Sequence, residues 1–220
     1  MIRGPALKAA LFDIDGTLLD SRDFISDAFA HNFRLHNINA ADARARWLDL
    51  AGQDLAVIYA HLCPGIDTAM LCETHRRFQV DNMHLVKMFP GIRGLLNKLQ
   101  ERGVLLAAVT SRSRVTVAQS LKLHLLHDFF DQIICAEDVA FIKPHPEPIL
   151  TALRKSNLQA PTAVMIGDSR FDVQAGKAAG TRTIGVTYGL EGAAIASACP
   201  DVVVSSVEDL GRVLQKWLNE

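Results

Sequence analysis

The sequence predicts an α/β fold: a parallel sheet core flanked by helices, with a small α-helical unit inserted after the first strand. Three observations carry this. Short apolar runs recur at 9–12, 104–109, 132–136, 163–166, 182–187 and 202–205. They do not alternate with polar residues, so they read as strands buried on both faces. Stretches with helical spacing separate the later runs, which is the βα alternation of a covered parallel sheet. Between the first two runs, residues 22–87 read as helix after helix. That is too long for one crossover and reads as an insert.

Length and composition set the outer bounds. At 220 residues the chain holds one large domain, or a core with a smaller inserted one. Hydrophobic residues at 49% and charged residues at 21% give a globular composition. A net charge of −1 offers no basic surplus for a nucleic-acid partner. No apolar run reaches the length of a membrane span, and the start, Met-Ile-Arg-Gly-Pro-Ala, lacks the apolar stretch of a signal peptide. Cys63, Cys72, Cys135 and Cys199 form no Cys-x-x-Cys pair and read as reduced thiols in a cytoplasmic protein. The eight histidines are scattered; His124 and His127 suit a solvated or capping role at a helix end better than zinc. No feature of the sequence sets an oligomeric state.

Ala9–Phe12 opens the fold as a buried strand and delivers Asp13 and Asp15 at its C-terminal end. Residues two apart on a strand share a face, so the two carboxylates start side by side. Gly16 lets the chain turn away at once. Adjacent like charges repel, and a divalent cation is the usual reason that a fold tolerates them.

The insert comes next. Residues 22–37 carry Phe24, Ala28, Phe29 and Phe33 at helical spacing; 41–62 carry Trp47, Leu48, Leu55, Ile58 and Tyr59, broken near Gly52. After the Pro64-Gly65 turn, 67–87 read as helix with Leu71, His75, Phe78 and Leu85 on one face. Phe89-Pro90-Gly91 returns the chain to the core. Ile92, Leu95, Leu96 and Leu99 then mark a short helix that Gly103 ends. The helices expected after it are 114–126, 148–158, 170–179, a turn at 192–198, and 207–218. The division is therefore a core of residues 1–20 and 88–220 and a helical insert of 21–87.

Ligands of open parallel sheets bind outside the C-terminal ends of the strands. Strand one ends at Asp13 and Asp15, strand two at Thr110 and Ser111, and the fourth at Gly167-Asp168-Ser169, with Asp172 one turn on. The loop after strand three holds Lys143 in Ile-Lys-Pro-His-Pro-Glu-Pro. Singly, each is ordinary: Thr110 also fits a plain helix N-cap, and a loop lysine is usually solvated. Together, carboxylates, hydroxyls and an ammonium at one edge are the parts for phosphoryl transfer.

This ordered set resembles the four motifs of the haloacid dehalogenase superfamily, over nearly the whole chain. Asp13-Ile-Asp15-Gly-Thr17 matches the first motif, Thr110 the second, Lys143 the third, and Gly167-Asp168-Ser169 to Asp172 the fourth. The insert resembles the helical cap of the subgroup containing phosphoglycolate phosphatase, β-phosphoglucomutase and phosphonatase. Lys143-Pro-His-Pro-Glu-Pro and Thr187-Tyr-Gly189 look most like the phosphoglycolate phosphatase and pyrophosphatase branch.

The resemblance implies a Rossmann-like core and a division of labour. Asp13 would attack phosphorus and form an aspartyl-phosphate. Asp15 would protonate the leaving oxygen and then activate water. Thr110 and backbone near Ser111 would hold the phosphoryl group, and Lys143 would neutralise charge on it and on Asp13. Mg²⁺ would be bound by Asp13, Asp168 and the Asp15 carbonyl. Asp172 would orient the metal's waters or Lys143. Thr17 reads as either a structural hydroxyl or a reactant, and Gln53, beside the break at Gly52, as a specificity residue or a surface one. Arg112 and Arg170 read as solvent-exposed, and His145 as a loop residue.

Within the superfamily that the chain resembles, an aspartate two residues after the nucleophile, as at position 15, implies phosphate-ester chemistry and argues against a dehalogenase or a phosphonatase. Gln53 and Asp54, where basic residues hold a second phosphate in β-phosphoglucomutases, lower that option. A non-catalytic binding protein of the same fold is disfavoured because every motif residue is present. The expectation is a Mg²⁺-dependent phosphatase acting on a small phosphorylated metabolite, phosphoglycolate first, with pyrophosphate and mutase chemistry as alternatives.

Overall fold

The run Ala9–Phe12 is a strand, β1, with no solvent contact on either face. The computed structural model describes residues 5–38 and 47–220. After β1 come the short strand Leu19–Asp20 (β2) and, among the described residues, the helices Arg22–Leu35 (α1), Leu55–Leu62 (α2) and Thr68–Asn82 (α3). Lys87–Met88 (β3) then leads into Ile92–Glu101 (α4), Leu105–Val109 (β4), Arg114–Leu123 (α5), Gln132–Ile134 (β5), Glu147–Lys155 (α6) and Ala163–Gly167 (β6). Arg170–Ala179 (α7), Arg182–Val186 (β7), Val202–Val204 (β8) and Val207–Leu218 (α8) complete the chain.

Six strands form one sheet in the order β5-β4-β1-β6-β7-β8, and each of its pairings is parallel. Phe12 pairs with Ala108 and Ile166, so β1, β4 and β6 end level with one another at the sheet's centre. Successive side chains alternate between faces. Ala10, Phe12, Leu106, Ala108, Val164 and Ile166 join one apolar cluster with residues of α4, α5 and α8. Ala9, Leu11, Ala107, Val109 and Met165 join another with residues of α6 and α7. This is the two-sided burial that the unalternating apolar runs predict.

The helices of the insert share a third cluster, built on Phe29, Phe33, Trp47, Ile58, Tyr59 and Leu71. Full burial of such a side chain is worth about 1.5–3 kcal/mol. Asp54 and Asp67 cap α2 and α3 by accepting from the backbone N–H of Ala56 and of Ala69 and Met70. The break near Gly52 is real: a 3₁₀ turn covers Leu48–Leu50 and α2 starts only at Leu55. The first part of the expected 41–62 helix, residues 41–46, lies outside the described residues.

Three expectations change. The helix of 67–87 stops at Asn82, because Met83 drops into the core and Lys87–Met88 pairs antiparallel with Asp20 and Leu19. That two-residue ladder ties the start of the insert to its end, and it is too short to leave a period-two pattern. Leu85, expected on the buried face of α3, is therefore exposed. The helical turn at 192–198 is 3₁₀. Cys63, Cys72, Cys135 and Cys199 are free thiols. His124 sets its ring nitrogens against the carbonyls of Ser120 and Val86, a structural pin. Among the described residues no helix is long and apolar enough to cross a membrane.

Candidate active site

Level strand ends put side chains from β1, β4 and β6 into one cluster. Asp13 follows β1, Thr110 follows β4 and Asp168 follows β6. Lys143 enters from the loop between β5 and α6. Its Nζ lies 2.7 Å from Asp13 Oδ1, 2.6 Å from Asp172 Oδ1 and 2.9 Å from the Val109 carbonyl oxygen. An ammonium has three N–H donors, and all three are spent. A buried lysine is thus a fixed strut rather than the solvated side chain that loop lysines usually are.

Asp172 is equally committed. Its Oδ2 accepts from the Ser169 backbone N–H at 3.0 Å and from Ser169 Oγ at 2.6 Å, closing a capping box at the start of α7. Asp168 Oδ2 accepts from the Leu190 N–H at 2.5 Å. Glycines make room for Asp168. A Cβ on Gly16, whose φ is +74°, would fall 2.0 Å from Asp168 Oδ2, and one on Gly189 would fall 2.2 Å from the Gly16 carbonyl.

Burial pushes the Asp13 carboxyl up to about 7, with Lys143 opposing and Asp172 and Asp15 adding to the rise. Burial also pushes Asp168 well above the usual carboxylate range, helped by Asp13 and Asp172. Burial alone would lower Lys143, but the charges of Asp13 and Asp172 outweigh it and hold the ammonium protonated. Asp13, Asp168 and Asp172 each offer a carboxylate oxygen, all within 4.8 Å of one another. Three carboxylates face one ammonium, so negative charge is in excess. The donors are all hard oxygens, with no Cys or His among them. That set fits a divalent cation of the Mg²⁺ type. Asp172 has both oxygens engaged, which leaves Asp13 and Asp168 as the available side-chain ligands.

The Asp15 carboxylate stands apart from this triad. Both its oxygens lie 3.2 Å from Arg112 Nη1. Arg112 is itself held by the Thr116 hydroxyl and carbonyl and is largely buried. This corrects the reading of Arg112 as a solvent-exposed side chain. A basic residue two after a strand-end threonine was the available signal, but sequence alone does not say that it folds back onto position 15. Arg170 is half-exposed, yet it reaches the Asp49 carbonyl and Glu191 and so bridges core and insert. His145 is an exposed loop residue.

Thr110 is not a helix N-cap: Ser113 occupies that position for α5, while Thr110 Oγ1 accepts from the Arg112 N–H. Thr110 and Ser111 line a cavity of about 330 Å³ together with Asp13, Asp15, Lys143 and Asp168. The Ser111 hydroxyl is buried without a protein partner. Thr17 is fully buried, with its hydroxyl unpartnered and its carbonyl accepting from Tyr188.

Further core residues, Glu137 and Leu190 among them, line the cavity too, and the insert supplies its other wall, with Phe29, Trp47, Gly52, Gln53, Asp54, His75, Arg76 and Gln79. Gln53 thus stands where the break at Gly52 predicts. His75 is buried in the helix cluster, and its ring stacks edge-on against Phe29 at 4.7 Å between centroids. Burial first, then Arg76 and Arg112, hold His75 down to about 3, so its ring is neutral. In the sequence it is one more histidine on an apolar helix face, and only the fold brings it to the cavity.

Comparison with known proteins agrees with this architecture. The chain is 34% identical over 206 residues to the pyrophosphatase PpaX of Bacillus pumilus (strain SAFR-032), covering 93% of this chain and 94% of the relative. Among solved structures, a predicted phosphatase from Clostridium acetobutylicum superposes with a TM-score of 0.85 at 26% identity, over 96% of this chain and 99% of that one. CbbY from Rhodobacter sphaeroides, solved in complex with phosphate, gives 0.82 at 26% identity, over 93% and 96%. The family model for haloacid dehalogenase-like hydrolases matches residues 10–186, from the first strand through β7. With motif, sheet order and sequence likeness in agreement, the chain belongs to the haloacid dehalogenase-like hydrolase family.

Proposed function

We propose that this hydrolase is a Mg²⁺-dependent phosphatase that cleaves a small phosphorylated metabolite through an aspartyl-phosphate on Asp13. The observation that carries this reading is the Asp13–Lys143–Asp172 chain at the sheet's C-terminal edge, facing the cavity between core and insert. A carboxylate held by one oxygen keeps the other for attack on phosphorus, and the ammonium offsets the charge that gathers there. Thr110 and Ser111 hold the phosphoryl oxygens. Asp15 serves the leaving group and then the attacking water, with Arg112 fixing its orientation. Asp13 and Asp168, with the Asp15 carbonyl by family resemblance, hold Mg²⁺, which when bound neutralises phosphoryl charge. Asp172 positions Lys143.

Residues 21–87 act as a cap over a core of 1–20 and 88–220. Two contacts support this: Arg22 donates to the Gly189 and Leu190 carbonyls, and Arg170 donates to the Asp49 carbonyl. The cap wall with Gln53 then sets specificity, because the core handles only the phosphoryl group. The relatives named pyrophosphatase put pyrophosphate first among substrates. Phosphoglycolate stands second, on motif resemblance.

The test is phosphate release by wild type and Asp13→Asn from pyrophosphate, phosphoglycolate, sugar phosphates and nucleotides, with Mg²⁺ and with EDTA. Release that needs Mg²⁺ and is lost in Asp13→Asn is the expected result. A folded wild type that releases nothing from any compound would refute the reading, and sugar phosphates isomerised without free phosphate would put the mutase chemistry in its place.

A further inference from the structure

Asn32, Tyr59 and His75 form a buried hydrogen-bonded chain in the helical insert, and none of the roles above uses it. Asn32 Nδ2 lies 2.6 Å from the Leu71 carbonyl and 2.6 Å from Tyr59 Oη. A carbonyl only accepts, so the amide faces it with its NH₂, and both Nδ2 hydrogens are spent. The phenol therefore keeps its own hydrogen for His75 Nδ1, 2.8 Å away. A neutral imidazole that accepts at Nδ1 carries its proton on Nε2.

That Nε2–H has no protein partner among the described residues. His75, though almost fully buried, lines the same cavity as Asp13 and Thr110, and its Nε2–H is the donor it can offer there. Arg76 and Gln79, next along α3, line it too. Arg76 has no acidic partner among the described residues, whereas Arg112 is committed to Asp15. The insert wall thus presents a neutral N–H donor, an amide, the Asp54 carboxylate and a guanidinium with no acidic partner among the described residues, and the strand ends hold the phosphoryl group.

We propose that His75 is a specificity-determining residue whose Nε2–H, fixed by the Asn32–Tyr59 chain, donates to an anionic oxygen of the leaving group beside Arg76. The preferred substrates are then phosphate compounds whose leaving group bears a second anion, either a phosphate or a carboxylate. This rests on the phosphatase reading above. A compound whose leaving group has no anionic oxygen leaves the Arg76 charge unanswered.

Two measurements test it. The first needs no turnover: long-range ¹H–¹⁵N NMR of His75 in Asp13→Asn. The expected spectrum shows the Nε2–H tautomer, with Nε2 shifting on addition of pyrophosphate or phosphoglycolate and far less with 4-nitrophenyl phosphate. An Nδ1–H tautomer, or binding that leaves Nε2 unmoved, overturns the role of His75 alone. Failure of every phosphate compound to bind rejects the phosphatase reading with it.

The second is kinetic and uses Tyr59→Phe/His75→Phe, which keeps both rings and leaves no phenol hydroxyl without a partner. The ratio of kcat/KM for pyrophosphate or phosphoglycolate over that for 4-nitrophenyl phosphate falls about ten- to a hundredfold, mainly through KM, the range for a hydrogen bond to a charged group. His75→Gln, which restores an amide donor, recovers part of the loss. A fall confined to pyrophosphate identifies the second anion as phosphate, and one confined to phosphoglycolate as carboxylate. An unchanged ratio overturns the proposal.

Discussion

Arg112 Nη1 sits 3.2 Å from both carboxylate oxygens of Asp15, and the pair is largely shielded from water. The same guanidinium is anchored on Thr116, in the first turn of α5. Asp15 is thereby oriented by a group that is itself immobilised. Arg112→Met is expected to lower kcat/KM about ten- to a hundredfold, the cost of a lost charge-assisted hydrogen bond. Arg112→Lys is expected to restore little, because an ammonium cannot reproduce the anchored fork. Steady-state kinetics with melting curves checks this; full activity in Arg112→Met would refute it.

Lys143 offsets three buried carboxylates, so removing it leaves like charges facing one another. Lys143→Met is expected to destabilise the metal-free protein by about 3–5 kcal/mol, as for other broken buried ion pairs. Turnover should fall by at least about a hundredfold. Denaturant melts with EDTA and with Mg²⁺ test this, and the deficit should shrink when Mg²⁺ is present.

The pH dependence of stability follows from Asp13. Its carboxyl is pushed up to about 7 in the fold, against 3.8 ordinarily. The native state therefore keeps this proton to higher pH than the unfolded chain does. The stability so gained is present below about pH 4 and is lost as pH rises towards 7. On the proposed function, a cation bound at Asp13 would take the place of the proton. The rise in Tm on adding Mg²⁺ is thus expected to be larger near pH 8 than near pH 5, and Asp13→Asn should raise the Tm of the metal-free protein near pH 8. Equal Mg²⁺ effects at both pH values would contradict this.

His75 acts in the opposite sense. Its ring is held down to about 3, against 6.5 ordinarily. The unfolded chain takes up this proton first as pH falls. Stability is full above about pH 6.5 and is lost towards pH 3, by on the order of 5 kcal/mol. Tyr59→Phe/His75→Phe should flatten that acid limb relative to wild type, as read from urea midpoints across the range. A parallel limb would show that acid sensitivity arises elsewhere.

Gly189→Ala tests the packing of the fourth motif. Its Cβ would lie 2.2 Å from the Gly16 carbonyl and 2.3 Å from Asp168 Cβ. Backbone cannot yield as a flexible side chain can, so a loss of about 1–3 kcal/mol is expected, with weakened Mg²⁺ binding. Calorimetric titration of Mg²⁺ into the folded variant checks the second point.

The sequence by itself determined the sheet, the helical insert and the cluster of Asp13, Thr110, Lys143 and Asp168. Short unalternating apolar runs that alternate with helical stretches read as strands buried on both faces, and parallel strands bring their C-terminal ends to one edge. The break at Gly52 was legible for a similar reason, since it interrupts a helical period. Tertiary structure decided the rest. The β2–β3 ladder is too short to carry a pattern, and it shortened α3. Arg112 and His75 looked ordinary because a side chain's partner across 97 or 16 residues leaves no periodic trace. Lys143 was found by its motif, but its three bonds, to groups 29 to 130 residues away, exist only once the sheet has closed. Local pattern records which face a residue shows to the core; it does not record which distant group meets it there.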